Sequence, residues 1–169
     1  MRQTGRARAN RVTPESADPL ARMSCDPATE RRIYESFSRM CAMETIGAAI
    51  ASVGRGAVEI VLPFSPRLTQ QHGFVHAGIV AMIADTACGY AALTMMPPDG
   101  AVLTTEFKIN LLAPAQGDRL IAVGKVVRPG RKLMVCIGDV FAEQAHSRKA
   151  VALMTASMIV IDTATGLRD

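Results

Sequence analysis

Two features of this sequence could carry out chemistry on a carbonyl group. The first is the run Gln70–Gly78, rich in polar and small residues, which stands directly before a long apolar segment. If that segment is a helix, the free N–H groups and partial positive charge of its N-terminus suit an oxygen that becomes negative during acyl transfer. The small residues Ala77 and Gly78 would let a substrate carbonyl approach this backbone. Close packing of the helix would explain the same small residues equally well.

Asp85 is the second feature, because it is the one charged residue between positions 77 and 95. An ionised carboxylate without a partner is costly to bury, so a carboxylate retained in an apolar segment is a candidate functional group. The alternative is that Asp85 faces solvent on a thin polar stripe. From the residues alone, both interpretations remain open.

The elements that would position these residues can be read from the periodicity of the sequence. The segment 77–95 is alanine-rich and apolar on nearly every side, which predicts a helix that is buried all round. Such a helix needs a sheet around it. Four long runs rich in β-branched residues predict strands, joined by short turns that favour antiparallel neighbours, at 101–112, 119–127, 132–141 and 149–161.

The segment before the central helix predicts one short helix and a hairpin. Asp26 and Pro27 are typical of a helix start, and we expect this helix to end before Gly47. Two strand-like runs, 46–53 and 57–63, flank a Gly-Arg-Gly sequence that is typical of a tight turn. The predicted order is therefore helix, two strands, central helix and four strands.

The final predicted strand is apolar on both faces. One alternating set contains Val151, Leu153, Ile159 and Ile161, and the other contains Ala150, Ala152, Met154, Met158 and Val160. One face can cover the central helix, but the other would leave an exposed apolar patch on a monomer. No residues remain to build a second layer, so we predict a homo-oligomer.

Three motifs, taken in order and at their separations, resemble the hotdog-fold acyl-CoA thioesterases of the phenylacetic acid degradation type. They are His76-Ala77-Gly78 against the family's His-Gly-Gly, then residues 84–87, and then residues 104–110 followed by Pro114. The resemblance covers about residues 45–162. It implies an α+β hotdog fold, in which an antiparallel sheet wraps around a long central helix, and a homodimer or a homotetramer built as a dimer of dimers.

The resemblance also implies roles for individual residues. Asp85 matches the carboxylate that attacks the thioester or activates water, and the Ala77 N–H matches the oxyanion donor, supplied by the other subunit. Gln70 stands where the family often has an Asn that holds the thioester or the water. His76 would fix the turn or help polarise the carbonyl, with a structural hydrogen bond as the alternative. Thr104 falls where related enzymes place a hydroxyl near the nucleophilic water.

Coenzyme A, as part of the substrate, brings phosphate groups that need basic partners. The best candidate is the turn Arg128-Pro129-Gly130-Arg131-Lys132, because arginine grips phosphate with paired hydrogen bonds while lysine acts as a point charge. Exposed charges that only aid solubility are the ordinary alternative. With Gly78 at the helix N-terminus, these residues form the predicted coenzyme A contacts. We predict neither a metal nor a separate cofactor, since thiolate is a good leaving group.

The overall composition argues against several other classes of protein. The net charge of +4 arises mostly in residues 1–25, which hold five Arg against two acidic residues, so an extended nucleic-acid-binding face is not supported. We expect residues 1–25 to be a disordered basic tail, with a transit peptide as the alternative, and residues 26–169 to be the thioesterase domain. No apolar run could span a membrane, so a cytoplasmic protein with reduced cysteines is expected.

Two rival functions remain on the same fold. A hydratase or dehydratase would use a His and a carboxylate together on the acyl chain, and His76 with Asp85 is the one such pair in the motifs. A non-catalytic acyl-CoA-binding regulatory protein would carry a DNA-binding module before the hotdog. Residues 1–25 are too short and aperiodic for a helix-turn-helix.

Overall fold

The computed structural model describes residues 24–145 and 147–161. The predicted basic tail lies outside these residues, apart from Ser24 and Cys25, so its disorder stays a prediction. Within the described part of the chain, none of the helices is both long and apolar enough to cross a membrane.

The N-terminal segment forms two helices, α1 (Pro27–Ser38) and α2 (Cys41–Ile46). Asp26 caps α1 as predicted, because its carboxylate accepts a hydrogen bond of 3.1 Å from the Thr29 N–H. The prediction of a single helix was wrong, since the chain turns at Met40, and α2 ends at Gly47 with a φ of 76°. The turn lets Met43 enter the core while Met40 packs at its margin.

Six strands form one antiparallel sheet in the order β1-β2-β4-β5-β6-β3. The predicted strands are confirmed with small shifts at their ends, as β1 (Ala49–Gly54), β2 (Ala57–Pro63), β3 (Ala101–Leu111), β4 (Arg119–Arg128), β5 (Leu133–Gln144) and β6 (Ser147–Ile161). The Gly-Arg-Gly turn joins β1 to β2, with Gly56 at a φ of 75°. The hairpin prediction is therefore confirmed.

Strand β3 does not pair with its successor in the chain. Short turns make β4, β5 and β6 neighbours as predicted, but β3 pairs with β6 at the far edge of the sheet. The connection from β3 to β4 crosses the end of the sheet, where the Leu112 N–H donates to Val151 O (2.8 Å) and the Val75 N–H donates to Ala115 O (2.9 Å). These hydrogen bonds hold the connection across the end of the sheet, so β3 and β4 are not neighbours. The prediction of neighbouring strands was therefore wrong for β3.

Helix α3 (Ala77–Leu93) packs on the sheet, and most of its side chains lie in the main hydrophobic core. The prediction that it is buried all round was wrong along one stripe. The residues on this stripe are exposed or half-buried, and they are Gly78, Met82, Asp85, Thr86 and Gly89. Their spacing of three or four residues places them on one helix face. The sheet therefore covers α3 on one side and leaves the side with Asp85 open.

Two paired glycines let α3 lie very close to the sheet. Gly124 on β4 stands opposite Gly138 on β5. A Cβ atom at Gly124 would lie 2.2 Å from the carbonyl carbon and oxygen of Ala87, and one at Gly138 would lie 3.0 Å from Cys88 Sγ. The helix backbone thus occupies space that a side chain on β4 would need, which fixes the height of α3 above the sheet.

A bulge changes the alternation predicted for β6. The register shifts between Val140 and Phe141 of β5, so that Val151 has no partner of its own in the ladder. Val151 is buried together with Ala152 and Met154, although simple alternation placed it on the opposite face. The outer face keeps Leu153, which is half-buried.

Replacement of Gly124 by alanine tests the helix–sheet contact. We expect Gly124→Ala to lower the free energy of unfolding by about 1–3 kcal/mol, because the added methyl group collides with backbone rather than with a movable side chain. Urea unfolding followed by circular dichroism measures this. Lys125→Ala, at the next and exposed position, is the control, and we expect a change within about 0.5 kcal/mol. Equal stability of the two variants would contradict the close contact.

Candidate active site

Asp85 and Thr104 meet where α3 faces the edge strand. Asp85 lies on the open stripe of α3, and Thr104 lies on β3. The Thr104 hydroxyl donates a hydrogen bond of 2.8 Å to Asp85 Oδ1. The second carboxylate oxygen stays available for a substrate or a water, since no other hydrogen bond to it occurs among the described residues.

Burial raises the pKa of Asp85 above its ordinary value, and the hydrogen bond from Thr104 opposes that rise. Desolvation is the larger cause, and among the described residues no cationic side chain offsets it. A carboxylate with a raised pKa is a stronger base than an ordinary surface aspartate. Asp85 is therefore placed to accept a proton or to attack an electrophile.

A cleft of about 180 Å³ opens beside Asp85. Besides Asp85 and Thr104, it is lined by five residues that the sequence did not single out, Met40, Thr86, Gly89, Tyr90 and Val102. A helical-face argument could have found Gly89, which follows Asp85 by four residues. Met40 and Val102 arrive from distant parts of the chain, and no local signal identifies them.

The N-terminus of α3 is capped by the side chain of His76. His76 Nδ1 accepts a hydrogen bond of 2.9 Å from the Gly78 N–H, and the His76 N–H donates to Leu68 O at 2.9 Å. A Cβ atom at Gly78 would lie 3.1 Å from this Nδ1, so glycine makes room for the ring. The Gly78 N–H is thus already used. The Ala77 N–H has no hydrogen-bond acceptor within the described ranges, and Ala77 is exposed.

Gln70 belongs to a tight loop just before α3. Its N–H donates to Phe74 O (2.8 Å), and its carbonyl accepts from the Gly73 N–H (2.9 Å). Gly73 has a φ of 82°, which allows the reversal, and a bridge between Thr69 and Val75 closes the loop. The half-buried Gln70 side chain is therefore held on a rigid loop next to the helix N-terminus. Its role in catalysis stays a prediction.

The helix N-terminus and Asp85 are too far apart to act on one carbonyl within a single chain. Asp85 follows Ala77 by eight residues, which is about 12 Å along the helix axis. A catalytic base and an oxyanion donor must both lie within about 3 Å of the groups that they contact. One copy of the chain therefore contains a candidate base and a candidate oxyanion donor that are too far apart to act on the same carbonyl group.

The basic turn between β4 and β5 lies away from the Asp85 cleft. Arg128 ends β4, and the exposed residues Arg131 and Lys132 line a separate cavity of about 480 Å³ with Pro97 and Ile161, among others. A Cβ atom at Gly130 would lie 2.1 Å from Leu133 O, so this glycine is explained by the tightness of the turn. The structure does not bring these residues to Asp85 within one chain.

The cysteines form no bonds with one another. Cys25, Cys41, Cys88 and Cys136 are all free, and the last two are buried. Burial raises the pKa of the Cys136 thiol to about 11 and raises that of Cys88 further. Across residues 24–145 and 147–161, no cluster of three or more His, Cys, Asp or Glu could hold a metal ion.

Comparison with known proteins decides the family. Residues 72–148 match the family described as the thioesterase superfamily. A solved thioesterase family protein from Silicibacter pomeroyi is 44% identical, has a TM-score of 0.77, and is similar over 79% of this chain and 98% of its own. This chain belongs to the thioesterase superfamily. These comparisons confirm the predicted hotdog fold. They also confirm the prediction that this thioesterase is a thioester hydrolase.

Two further proteins are similar to this thioesterase, one in sequence and one in fold. The 1,4-dihydroxy-2-naphthoyl-CoA hydrolase of Listeria monocytogenes is 29% identical to the thioesterase over 92 residues, which cover 54% of this chain and 75% of the relative. The PaaI protein from the phenylacetic acid degradation operon of Escherichia coli has a TM-score of 0.74 at 22% identity, over 82% of this chain and 97% of its own. The likeness to PaaI supports the fold alone.

The hydrogen bond from Thr104 gives a testable pH dependence. A group that must be ionised works above its pKa, so the activity should fall as the pH drops through the pKa of Asp85. Thr104→Val removes the hydrogen bond that lowers this pKa, and we expect the acidic limb of the kcat/KM profile to move to higher pH.

Thr105→Val is the matched control for that profile. The Thr105 hydroxyl donates to Ser157 O (3.0 Å) and makes no contact with Asp85. We expect its acidic limb to coincide with that of the unaltered enzyme. If Thr104→Val moves the limb to lower pH, the assignment of this hydrogen bond to the ionised carboxylate is wrong.

Proposed function

We propose that this chain is an acyl-CoA thioesterase whose active site is shared between two copies, with Asp85 as the nucleophile or general base. The observation that carries the proposal is the half-buried Asp85 carboxylate, held by Thr104 at the edge of a cleft. It is supported by the uncommitted N–H of Ala77 at the start of the same helix. Together they supply the base and the oxyanion donor that acyl transfer requires.

The reaction begins when the thioester carbonyl oxygen accepts a hydrogen bond from the Ala77 N–H of one copy. Either Asp85 of the other copy adds to the carbonyl carbon, or it takes a proton from a water that adds there. The tetrahedral intermediate collapses with cleavage of the C–S bond, and the thiolate leaves and is protonated. If Asp85 was the nucleophile, water then hydrolyses the mixed anhydride. Thr104 orients the carboxylate throughout.

A second copy is the simplest way to join the two halves of the site. Strand β3 is an edge strand of 11 residues, and the unpaired backbone groups along it could bind another strand. Leu103, Phe107 and Leu111 on this strand are 51%, 48% and 55% exposed. Antiparallel pairing of β3 with its own copy is compatible with a two-fold axis and would cover these side chains. We therefore propose a homodimer, which could stack further into a homotetramer.

Coenzyme A as the leaving group is supported by two observations. The similar hydrolase from Listeria monocytogenes carries an aromatic acyl-CoA in its name. The turn from Arg128 to Lys132 exposes three cationic side chains that could bind phosphates contributed by a substrate in the partner's site. The phenylacetic acid degradation type is supported by the three sequence motifs. This assignment is more specific than the proposal of acyl-CoA hydrolysis.

The hydratase alternative finds no support in the geometry. It needs a His and a carboxylate that converge on one acyl chain. His76 uses Nδ1 to cap α3 and lies about two turns from Asp85 along that helix. The pair does not converge within one copy. At a site shared with a second copy, a neutral His76 whose Nδ1 caps α3 would present Nε2–H, which can donate a hydrogen bond but cannot accept a proton from an acyl chain.

Removal of the Asp85 charge is the first test. We expect Asp85→Asn to lower kcat for thiol release from acyl-CoA by about 10²–10⁴-fold, because the amide can neither attack nor accept a proton. The variant should fold at least as stably as the unaltered chain at pH 7. The raised pKa of Asp85 means that the folded state favours the neutral form, so stability falls as the pH rises through that pKa.

Asp139→Asn is the matched control, since it removes one negative charge from a half-buried position outside the cleft. We expect it to retain most of the thiol release. Equal activity of Asp85→Asn and Asp139→Asn would exclude Asp85 as the catalytic carboxylate.

Replacement of Ala77 by proline tests the oxyanion donor. Ala77 is the first residue of α3, where proline is tolerated, and His76 has the extended conformation that a following proline requires. Ala77→Pro removes the N–H that the proposal uses and puts the Cδ of the proline ring in its place. We expect kcat to fall by about 10²–10³-fold with the circular dichroism spectrum unchanged.

Mixing the two inactive variants then tests the shared site. In a heterodimer of Asp85→Asn and Ala77→Pro, one of the two sites has both intact groups. Reassembly from equal amounts should restore about a quarter of the unaltered activity, since half of the dimers carry one working site of two. No recovery, despite heterodimers detected by native mass spectrometry, would mean that each copy works alone.

A further inference from the structure

Gly89 is an unexplained glycine in the middle of α3. It lies one helical turn after Asp85 and lines the same cleft. Glycine destabilises a helix interior relative to alanine, so its presence needs a reason. Its φ is not in the left-handed region, and a Cβ atom built there would meet nothing within 4 Å. Unlike Gly124, it is not required by a close backbone contact. What it provides is empty space in the cleft.

The far side of this space is lined by residues that lie against α1 or directly follow it. Tyr90 lines the cleft, and its buried hydroxyl is hydrogen-bonded to Ser36 Oγ at 3.2 Å. The Phe37 ring packs on Tyr90 with a centroid separation of 5.6 Å. Met40, at the turn after α1, lines the cleft beside them. Tyr90, held by these contacts, and Met40 therefore form one wall of the cleft.

Hydrogen bonds and core packing hold helix α1 against the rest of the domain. The Arg32 guanidinium donates to Pro97 O at 2.7 Å and to Gly100 O at 2.6 Å, just before β3 begins. Ile33 is fully buried in the core. Residues 72–148, which match the superfamily, do not include α1. The wall of the cleft thus depends on a segment outside the matched region.

We propose that Gly89 sets the depth of the acyl pocket and that Met40 and Tyr90 form its end wall. This rests on the proposed function, since the acyl group must enter the cleft beside Asp85. The cleft measures about 180 Å³, and a cavity of about 150 Å³ is enough to hold one benzene molecule. We therefore expect this pocket to favour a short acyl chain or a single ring over a long chain.

The test is a comparison of kcat/KM across acetyl-, butanoyl-, hexanoyl-, decanoyl- and phenylacetyl-CoA. For Gly89→Val, we expect the preference for phenylacetyl- over acetyl-CoA to fall by at least about 10–200-fold, the range for one methylene group in an apolar pocket. Met40→Ala should change specificity in the opposite direction and raise the relative rate with decanoyl-CoA. Gly89→Ala should give a smaller shift than valine and keep the thermal midpoint at or above that of the unaltered protein, because alanine favours the helix.

Two results would overturn the inference while leaving the thioesterase intact. One is turnover of decanoyl-CoA by the unaltered enzyme as efficient as that of hexanoyl-CoA. The other is a loss in Gly89→Ala and Gly89→Val that is equal for every thioester. Absence of thiol release from all five thioesters by the unaltered protein would instead overturn the proposed function, and this inference with it.

Discussion

The contact between α3 and the sheet at Gly124 is the constraint on which the arrangement of the site depends. Because Gly124 and Gly138 have no side chains, the helix backbone at Ala87 sits directly on β4 and β5. A helix held at that height cannot rotate freely without collision. Asp85, two residues earlier, is thereby directed to the one side that the sheet does not cover. There it meets Thr104 on the edge strand.

This position explains how an apolar helix can contain a carboxylate. Full burial would force Asp85 to stay protonated, and full exposure would leave it an ordinary weak base. Half-buried and bound by one hydroxyl, it has a raised pKa and keeps an oxygen available for chemistry. The helix that carries Asp85 also presents the N–H of Ala77 about 12 Å away along its axis. The length of one helix thus separates the proposed base from the proposed donor, which is why we propose that a second copy brings these groups together on one carbonyl.

The sequence was sufficient to predict α3 and the six strands, but not the division between α1 and α2 or all of the long-range strand partners. Periodicity identified α3, the first hairpin and the strands β4 to β6, because each depends on local patterns and short turns. It could not place β3 beside β6, since that pairing joins residues about fifty positions apart. The bulge that buries Val151 and the turn at Met40 are likewise set by packing of distant segments.

The candidate site, like the fold, could be predicted only in part from the sequence. Asp85 stood out as a lone charge in an apolar helix, and the family resemblance added Thr104, His76 and Ala77. The hydrogen bond between Asp85 and Thr104, the use of His76 as a helix cap and the wall formed by Met40 appear only in three dimensions. The residue types could suggest the chemistry, but the shape of the pocket could be determined only from the three-dimensional structure.

The most direct measurement is a crystal structure of the Asp85→Asn variant with a bound acyl-CoA. The thioester oxygen should lie about 3 Å from the Ala77 nitrogen of one copy, with position 85 of the other copy facing the carbonyl carbon. A thioester bound away from the N-terminus of α3, or contacted by positions 77 and 85 of the same copy, would contradict the shared active site.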